Sequence, residues 1–163
     1  MEYRPRLVAN ALLHKARSAG ESLTHLKLQK LMFFMQAWGL ALHDQKVIDE
    51  LPEAWPYGPV FAGLYHELKP YGSGSIVGYL MEPDLATGKP VSLVPNPGDT
   101  QFYQLLDQVW DRYGKLTAGQ LSSLSHVPGG PWDAARKSNM RNMSQPEITA
   151  FYRSQLQGNV GQV

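Results

Sequence analysis

The fold of this chain is decided by the stretch Leu23–His43, which reads LTHLKLQKLMFFMQAWGLALH. Apolar residues recur along it at helical spacing from Leu28 to Leu42, and phenylalanine, alanine and leucine occupy the other faces as well. After Lys30, only Gln36 is strongly polar before the final histidine. Because a helix that is apolar on nearly every side is a buried helix, we predict a central helix over about 24–43 that the rest of the chain surrounds.

Local signals support this helix. Thr24 can cap its start by accepting an early backbone N–H, and Leu23 with Leu28 fits the apolar pair that staples such a start. Gly39 in the interior costs about 1 kcal/mol relative to alanine, so we expect another element to approach the helix closely at this position. The apolar run is too short and too interrupted to span a bilayer.

Composition places the chain among globular proteins. Its 163 residues, of which 43% are hydrophobic, suffice for one domain with a real core. The formal net charge of +1 gives no electrostatic argument for nucleic acid or an anionic membrane as a partner. The absence of cysteine suits a cytoplasmic protein, and the polar N-terminus is not typical of a secretory leader. We expect one domain over 1–157 and a frayed tail over 158–163.

The remaining elements are predicted from apolar stripes and capping residues. Leu121 and Leu124 are predicted as the buried positions of one short helix. A small β-hairpin near 76–94 is predicted from two apolar stretches, Ile76–Met81 and Val91–Val94. The fold class is therefore mainly α, a single compact helical domain. Further helices are predicted to begin at or near Pro5, Pro59, Asp99, Thr117, Pro131 and Ser144.

Residues that could carry out catalysis are scattered rather than grouped. The five histidines lack the spacing of a zinc-binding helix, so we predict no metal site and no cofactor. Ser125 and His126 beside a glycine-rich turn, together with Glu53, leave a small hydrolase or transferase as an alternative. No Gly-x-Ser-x-Gly elbow accompanies them, and a histidine that fixes the following loop is the favoured role for His126. We expect a protein that is not an enzyme.

The segment Glu53–Val60, EAWPYGPV, combines aromatic residues with proline and glycine. Pro56 favours an extended conformation for Trp55, and Gly58 is free to take a positive φ. The aromatic rings here either fill the end of the core or anchor a partner protein, where such rings carry much of the binding energy. Composition favours the core role, and the partner-anchor interpretation stays open.

Two further features have both a structural and a functional interpretation. Lys27 and Lys30 lie one turn apart on the central helix, and we interpret them as cations that extend to solvent, with nucleic-acid contact as the alternative. The glycines of Tyr71–Gly78 faintly resemble a phosphate-binding loop. No strand clearly precedes them and no Lys-Ser/Thr pair follows, so we predict a flexible turn.

Three stretches occur in the order found in one known family: Leu23–Trp38, Glu53–Val60, and Leu121–His126 with Pro131-Trp132. Their Lys-Leu-Gln-Lys-Leu core, Ala-Trp-x-x-Gly-Pro-Val turn and His…Pro-Trp element resemble the Panacea domain, also called the SocA-like antitoxin or phage-associated protein family. The resemblance covers about Leu7 to Ala135. Departures are mild: a Met-Phe-Phe run stands where the family often has a Tyr-Tyr pair, and the link before Pro-Trp is longer.

The resemblance implies the antitoxin half of a toxin–antitoxin pair. Members neutralise toxins, generally encoded beside them, by direct binding, and one branch hands its toxin to a ClpXP-type protease as a proteolytic adaptor. A phage- or prophage-encoded protein that binds or inhibits a host protein is an alternative, and the toxin and the oligomeric state are left open. The motif residues expected to contact the partner or to hold the shared fold are Lys27, Gln29, Lys30, Trp55, Tyr57, Gly58, Pro59, His126 and Trp132.

Overall fold

The structure, a computed structural model, describes residues 1–160. The described chain is mainly α, as predicted, with two small antiparallel hairpins inserted between its helices. The tail predicted over 158–163 is described as far as Val160, which ends the last helix, and 161–163 lie outside the described residues. The elements are α1 Pro5–Ser18, α2 His25–His43, β1 Glu53–Trp55, β2 Gly58–Val60, α3 Ala62–Leu68, a 3₁₀ turn Lys69–Tyr71, β3 Glu82–Pro83, β4 Pro90–Val91, α4 Thr100–Tyr113, α5 Ala118–Ser125, α6 Pro131–Lys137 and α7 Gln145–Val160.

Helix α2 is the buried centre of the fold, which confirms the prediction. Every residue from Leu28 to Ala41 is buried, and α1, α4, α5 and α7 pack around the helix. The Thr24 hydroxyl accepts a hydrogen bond from the Lys27 N–H at 3.3 Å and so caps the start. The prediction for Leu42 was wrong: its side chain is exposed, because α4 and α7 leave an open groove of about 220 Å³ at the last turn of α2.

The close approach expected at Gly39 comes from the loop that follows α2. A Cβ at Gly39 would lie 2.2 Å from Cγ2 of Val47, so only glycine fits. The buried Gln36 amide holds this loop in place: its Oε1 accepts from the Val47 and Ile48 N–H groups at 2.8 and 2.9 Å, and its Nε2 donates to the Ile48 carbonyl at 3.1 Å. The other edge of this loop pairs with Tyr3, whose N–H donates to the Val47 carbonyl at 2.8 Å and whose carbonyl accepts from the Asp49 N–H at 2.9 Å. Gln36 therefore supplies the pairing on one side only.

A hairpin is present within the predicted range 76–94, but its strands are shorter and displaced. β3 follows the predicted strand Ile76–Met81 instead of lying within it, and β4 shares only Val91 with the predicted strand Val91–Val94. The buried Asn10 amide of α1 engages the flanking backbone. Its Nδ2 donates to the Leu80 and Leu93 carbonyls at 3.0 and 2.9 Å, and its Oδ1 accepts from the Leu80 N–H at 2.8 Å. These bonds satisfy the groups that a longer ladder would use.

The hairpin β1–β2 replaces the helix start predicted at Pro59. Pro59 lies in β2 opposite Ala54, and α3 begins only at Ala62. The reason is long-range: the Gln29 side-chain amide binds both the N–H and the carbonyl of Phe61, at 2.9 and 3.2 Å. Phe61 is therefore held extended, with φ −85° and ψ 101°, and the helix begins after it.

The caps predicted for the later helices are present. Asp99 accepts from the Phe102 N–H at 3.0 Å, and Thr117 with Gln120 forms a capping box at the start of α5. Leu121 is buried, but Leu124 is exposed, because it borders an open groove between α5 and α7 rather than the core. No helix within the described residues is long and apolar enough to cross a membrane.

Candidate partner-binding site

The turn of the β1–β2 hairpin, which we call the hairpin tip, is formed by Trp55–Gly58. Trp55 pairs with Gly58 across the ladder, and Gly58 has φ 111°, a conformation that side chains other than glycine rarely adopt. A Cβ at Gly58 would also lie 2.8 Å from Nζ of Lys30. Pro56 and Tyr57 are exposed, and 80% of the Tyr57 surface is open to solvent.

Lys30 lies beneath the hairpin and does not reach solvent, so the prediction that it extends outward was wrong. Its side chain is 0% exposed, and its ammonium donates to the Pro59 carbonyl at 3.1 Å. Burial lowers the pKa of Lys30 to about 8. The lysine became buried because the hairpin folds over this turn of α2, a tertiary contact that α2 itself does not reveal.

Lys27 lies apart from this cluster. Its ammonium donates to the Gly114 carbonyl, just after α4, at 2.6 Å. Burial is the main cause that lowers the pKa of Lys27. Lys27 is therefore placed as a link between α2 and the end of α4, whereas the other eight motif residues lie in or directly beneath the hairpin and its supports.

Gln29 fixes the end of β2 from below. Besides its two hydrogen bonds to Phe61, its Nε2 lies 3.3 Å from Nε2 of His25, one turn earlier on α2. The pKa of His25 is lowered by burial and, secondarily, by the positive charge of Lys30. A neutral histidine and a satisfied amide therefore form the floor beside the hairpin.

His126 and Trp132 hold the other side of the hairpin. The Trp132 indole N–H donates to the Trp55 carbonyl at 2.8 Å, and the His126 ring packs edge-on against Trp132 with ring centroids 4.0 Å apart. Nε2 of His126 is buried and has no hydrogen-bond partner among the described residues, and burial lowers the pKa of this imidazole. His126 and Trp132 thus connect the end of α5 to α6, and α6 to β1.

Apolar side chains around the hairpin tip form an exposed surface. Trp55 packs on Tyr65 of α3 with centroids 4.6 Å apart, and a groove of about 240 Å³ opens beside them toward the first turn of α2. Exposed aromatic anchors on a fixed backbone are typical of the residues that dominate protein–protein binding energy. We call this region the tip surface, and its residues are Leu26, Trp55, Pro56, Tyr57 and Tyr65.

The residues of the catalytic alternative do not form a nucleophile–base pair. The Ser125 hydroxyl donates to the Ser122 carbonyl at 2.8 Å, and the Glu53 carboxylate accepts from the Trp55 indole at 2.6 Å. Within residues 1–160, no hydrogen bond links two of Ser125, His126 and Glu53, the geometry that nucleophilic catalysis requires.

Several residues of this site were missed by the sequence prediction. His25 and Tyr65 support the groove, and the Arg136 guanidinium donates to the Ala54 carbonyl at 3.2 Å. Leu26 had a readable signal, since it lies outside the apolar stripe of α2 yet is a large hydrophobic residue. Arg136 had none, because its role depends on where α6 meets β1.

The motif residues that surround the hairpin coincide with the region shared with known proteins. A family model described as Antitoxin SocA-like, Panacea domain, matches residues 28–133. Antitoxin SocA of Caulobacter vibrioides (strain NA1000 / CB15N) is 32% identical over 128 residues, which cover 78% of this chain and 68% of the relative. No solved structure matches the chain at a significant level. The chain belongs to the SocA-like antitoxin family, whose common unit is the Panacea domain.

Proposed function

We propose that this chain is a cytoplasmic, non-enzymatic antitoxin that neutralises a protein toxin encoded beside it, by direct contact through the tip surface. Membership in the SocA-like family supports the antitoxin role. The choice of surface rests on the exposure of Tyr57. This aromatic side chain is 80% exposed at the tip of a hairpin that buried residues hold from beneath.

The hairpin presents Tyr57 with little freedom to move. Lys30 binds the Pro59 carbonyl, Gln29 binds Phe61 just after β2, and Trp132 binds the Trp55 carbonyl. Ordering a flexible loop at an interface costs binding free energy, and a loop fixed in advance avoids much of that cost. A surface of this kind suits tight binding without any chemical step.

The tip surface also offers a place for an apolar side chain of the partner. Leu26 and Tyr57 are exposed on the rim of the groove beside Tyr65. A central aromatic anchor next to a shallow apolar pocket is the arrangement in which single side chains contribute most to affinity. We expect Tyr57 to contribute more than any other exposed residue of the hairpin tip.

Co-expression of the chain with the product of its neighbouring gene tests this proposal. The wild type is expected to restore growth and to co-purify with that product, whereas Tyr57→Ser loses both. Leu85→Ser is the matched control, because Leu85 is a fully exposed hydrophobic residue in the turn between β3 and β4. Absence of rescue and of co-purification with the wild type contradicts the antitoxin role, and full rescue by Tyr57→Ser contradicts the choice of surface.

A proteolytic-adaptor mechanism is a finer form of the same proposal. Its test is the half-life of the neighbouring gene product in cells with and without a ClpXP-type protease, measured in the presence and absence of this chain. Faster degradation that needs both the protease and the chain supports the adaptor. An unchanged half-life together with restored growth contradicts the adaptor mechanism and supports neutralisation by binding alone.

A further inference from the structure

Trp55 also borders a second groove of about 590 Å³, which is larger than the groove beside Tyr65. Trp55 and Pro56 are the two tip-surface residues that line it. One wall is β1 and the start of the hairpin tip. The other is the end of α6 and the loop that follows it. The side chains that matter for its chemistry are Glu53, Trp55, Arg136, Met140 and Arg141. This region is called the arginine groove below.

The arginine groove carries positive charge that the chain does not neutralise. Arg136 and Arg141 are both exposed, and neither takes part in any ion pair within the described residues. The Arg136 guanidinium is anchored by the Ala54 carbonyl at 3.2 Å, which fixes its position. The carboxylate of Glu53 accepts from the Trp55 indole at 2.6 Å and faces no arginine at ion-pair distance.

The backbone of β1 along this groove is already bonded, so a partner must be recognised through side chains. The Ala54 N–H donates to the Arg141 carbonyl at 2.8 Å, and the Met143 N–H donates to the Pro52 carbonyl at 2.9 Å. An added β-strand therefore finds no free edge here. Besides Asn139 and the Glu53 carboxylate, which already accepts from the Trp55 indole, the groove offers a partner two guanidinium groups and the apolar side chain of Met140, which is 59% exposed.

We propose that the arginine groove binds an acidic segment of the partner protein, with partner carboxylates against Arg136 and Arg141 and an apolar partner side chain against Met140. Guanidinium groups match carboxylates in geometry and charge, and such pairs at an interface set orientation and partner choice. The inference rests on the proposed function, because a partner on the tip surface reaches this groove by crossing Trp55. Nucleic acid fits less well, since only two cations line the groove, too few to follow a run of phosphates.

The affinity of the purified neighbouring gene product for variants of this chain tests the inference. Arg141→Glu is the main variant, because the Arg141 side chain is exposed and takes part in no ion pair within the described residues, so we expect its replacement to leave the fold intact. We expect a loss of affinity of at least about tenfold, and a larger loss for Arg136→Glu/Arg141→Glu. The matched control is Lys89→Glu/Lys115→Glu, which reverses two exposed cations outside the groove and is expected to leave the affinity unchanged.

Carbodiimide cross-linking identifies the chemistry of the partner segment. In Arg141→Lys, activated carboxylates of the partner form amide bonds with the introduced amine, with loss of water, and mass spectrometry locates them. Cross-links to a segment rich in aspartate and glutamate support the inference. Binding of a 20-base-pair DNA duplex that Arg141→Glu abolishes overturns it in favour of a phosphate ligand.

The possible failures are distinguishable. If the wild type binds the neighbouring gene product and Arg141→Glu binds it equally well, the arginine groove is not a contact surface, while the proposed function stands. If the wild type does not bind that product at all, both proposals are overturned.

Discussion

Raising the pH above neutrality is expected to stabilise the fold through Lys30. The ammonium is fully buried beneath the hairpin, and burial lowers the pKa of Lys30 from its ordinary 10.5 to about 8. Between these two values the unfolded chain binds more protons than the folded chain, because its lysine stays charged. The free energy of unfolding therefore rises with pH over this range.

The expected size follows from the two pKa values. A folded pKa of about 8 against an unfolded 10.5 corresponds to about 3 kcal/mol in total, of which about 2 kcal/mol is gained between about pH 7 and about pH 9.5. Tyr3 and Tyr152 act in the opposite direction, because burial raises their pKa in the folded state. Their contribution reduces stability above about pH 10, so the comparison stops below that pH.

Lys30→Met isolates this contribution, since methionine fills similar space without a charge and leaves the tyrosines unchanged. Urea denaturation of both proteins across the pH range is the assay. The wild type should gain about 2 kcal/mol relative to Lys30→Met between about pH 7 and about pH 9.5. Lys89→Met, at an exposed position, should follow the wild type. Parallel profiles for the wild type and Lys30→Met would refute the argument that the ammonium is buried.

Three further predictions concern the core and the acid range. Trp38→Ala should lower the free energy of unfolding by about 3–5 kcal/mol, because the indole is only 5% exposed and donates to the Tyr113 hydroxyl at 2.8 Å. A loss below ~1 kcal/mol in urea denaturation would contradict the burial of Trp38 in the core. Gly39→Ala should cost about 1–3 kcal/mol, since its Cβ would meet Val47 Cγ2 at 2.2 Å, and an unchanged midpoint would show that the loop is not packed there. Because burial lowers the pKa of His126, the unfolded chain binds more protons in acid than the folded chain. The free energy of unfolding should therefore fall as the pH drops below about 6.5, and it should fall less steeply with pH in His126→Gln. Equal pH dependence in the two proteins would contradict the burial of the imidazole.

The central helix was predictable from sequence because its determinants are local. The apolar residues from Leu28 to Ala41, the Thr24 cap and the stop after His43 all lie within the helix or next to it. The capping box at Thr117 is local in the same way. Where the residues that determine a helix end lie within four residues of it, the sequence pattern predicts that end directly.

The segments between the helices were predicted less well, because buried side-chain amides far away in sequence determine them. Asn10 shortens the β3–β4 hairpin by binding Leu80 and Leu93, and Gln29 delays the start of α3 by binding Phe61. The sequence around a glutamine or asparagine in a helix does not indicate which distant backbone groups its side-chain amide will hydrogen-bond. These amides are costly to bury unless fully bonded, so in the folded chain they specify the loops strongly.

The candidate site was partly predictable for a related reason. The aromatic and glycine residues of Trp55–Gly58 indicated an unusual turn, and the family motifs indicated that Gln29, Lys30 and Trp132 matter. What the sequence did not reveal is that these residues support the hairpin from beneath while Pro56 and Tyr57 are exposed at its tip. Lys30 in particular was interpreted as a surface cation, since its burial depends on a segment about thirty residues later in the chain.

The most direct test of the account is hydrogen–deuterium exchange of this chain with and without the purified product of its neighbouring gene. We expect bound partner to slow exchange at the hairpin tip and at Leu26, while the turn between β3 and β4 exchanges as before. Protection confined to other surfaces, with unchanged exchange over Trp55–Gly58, would contradict the claim that the β1–β2 hairpin is the binding surface.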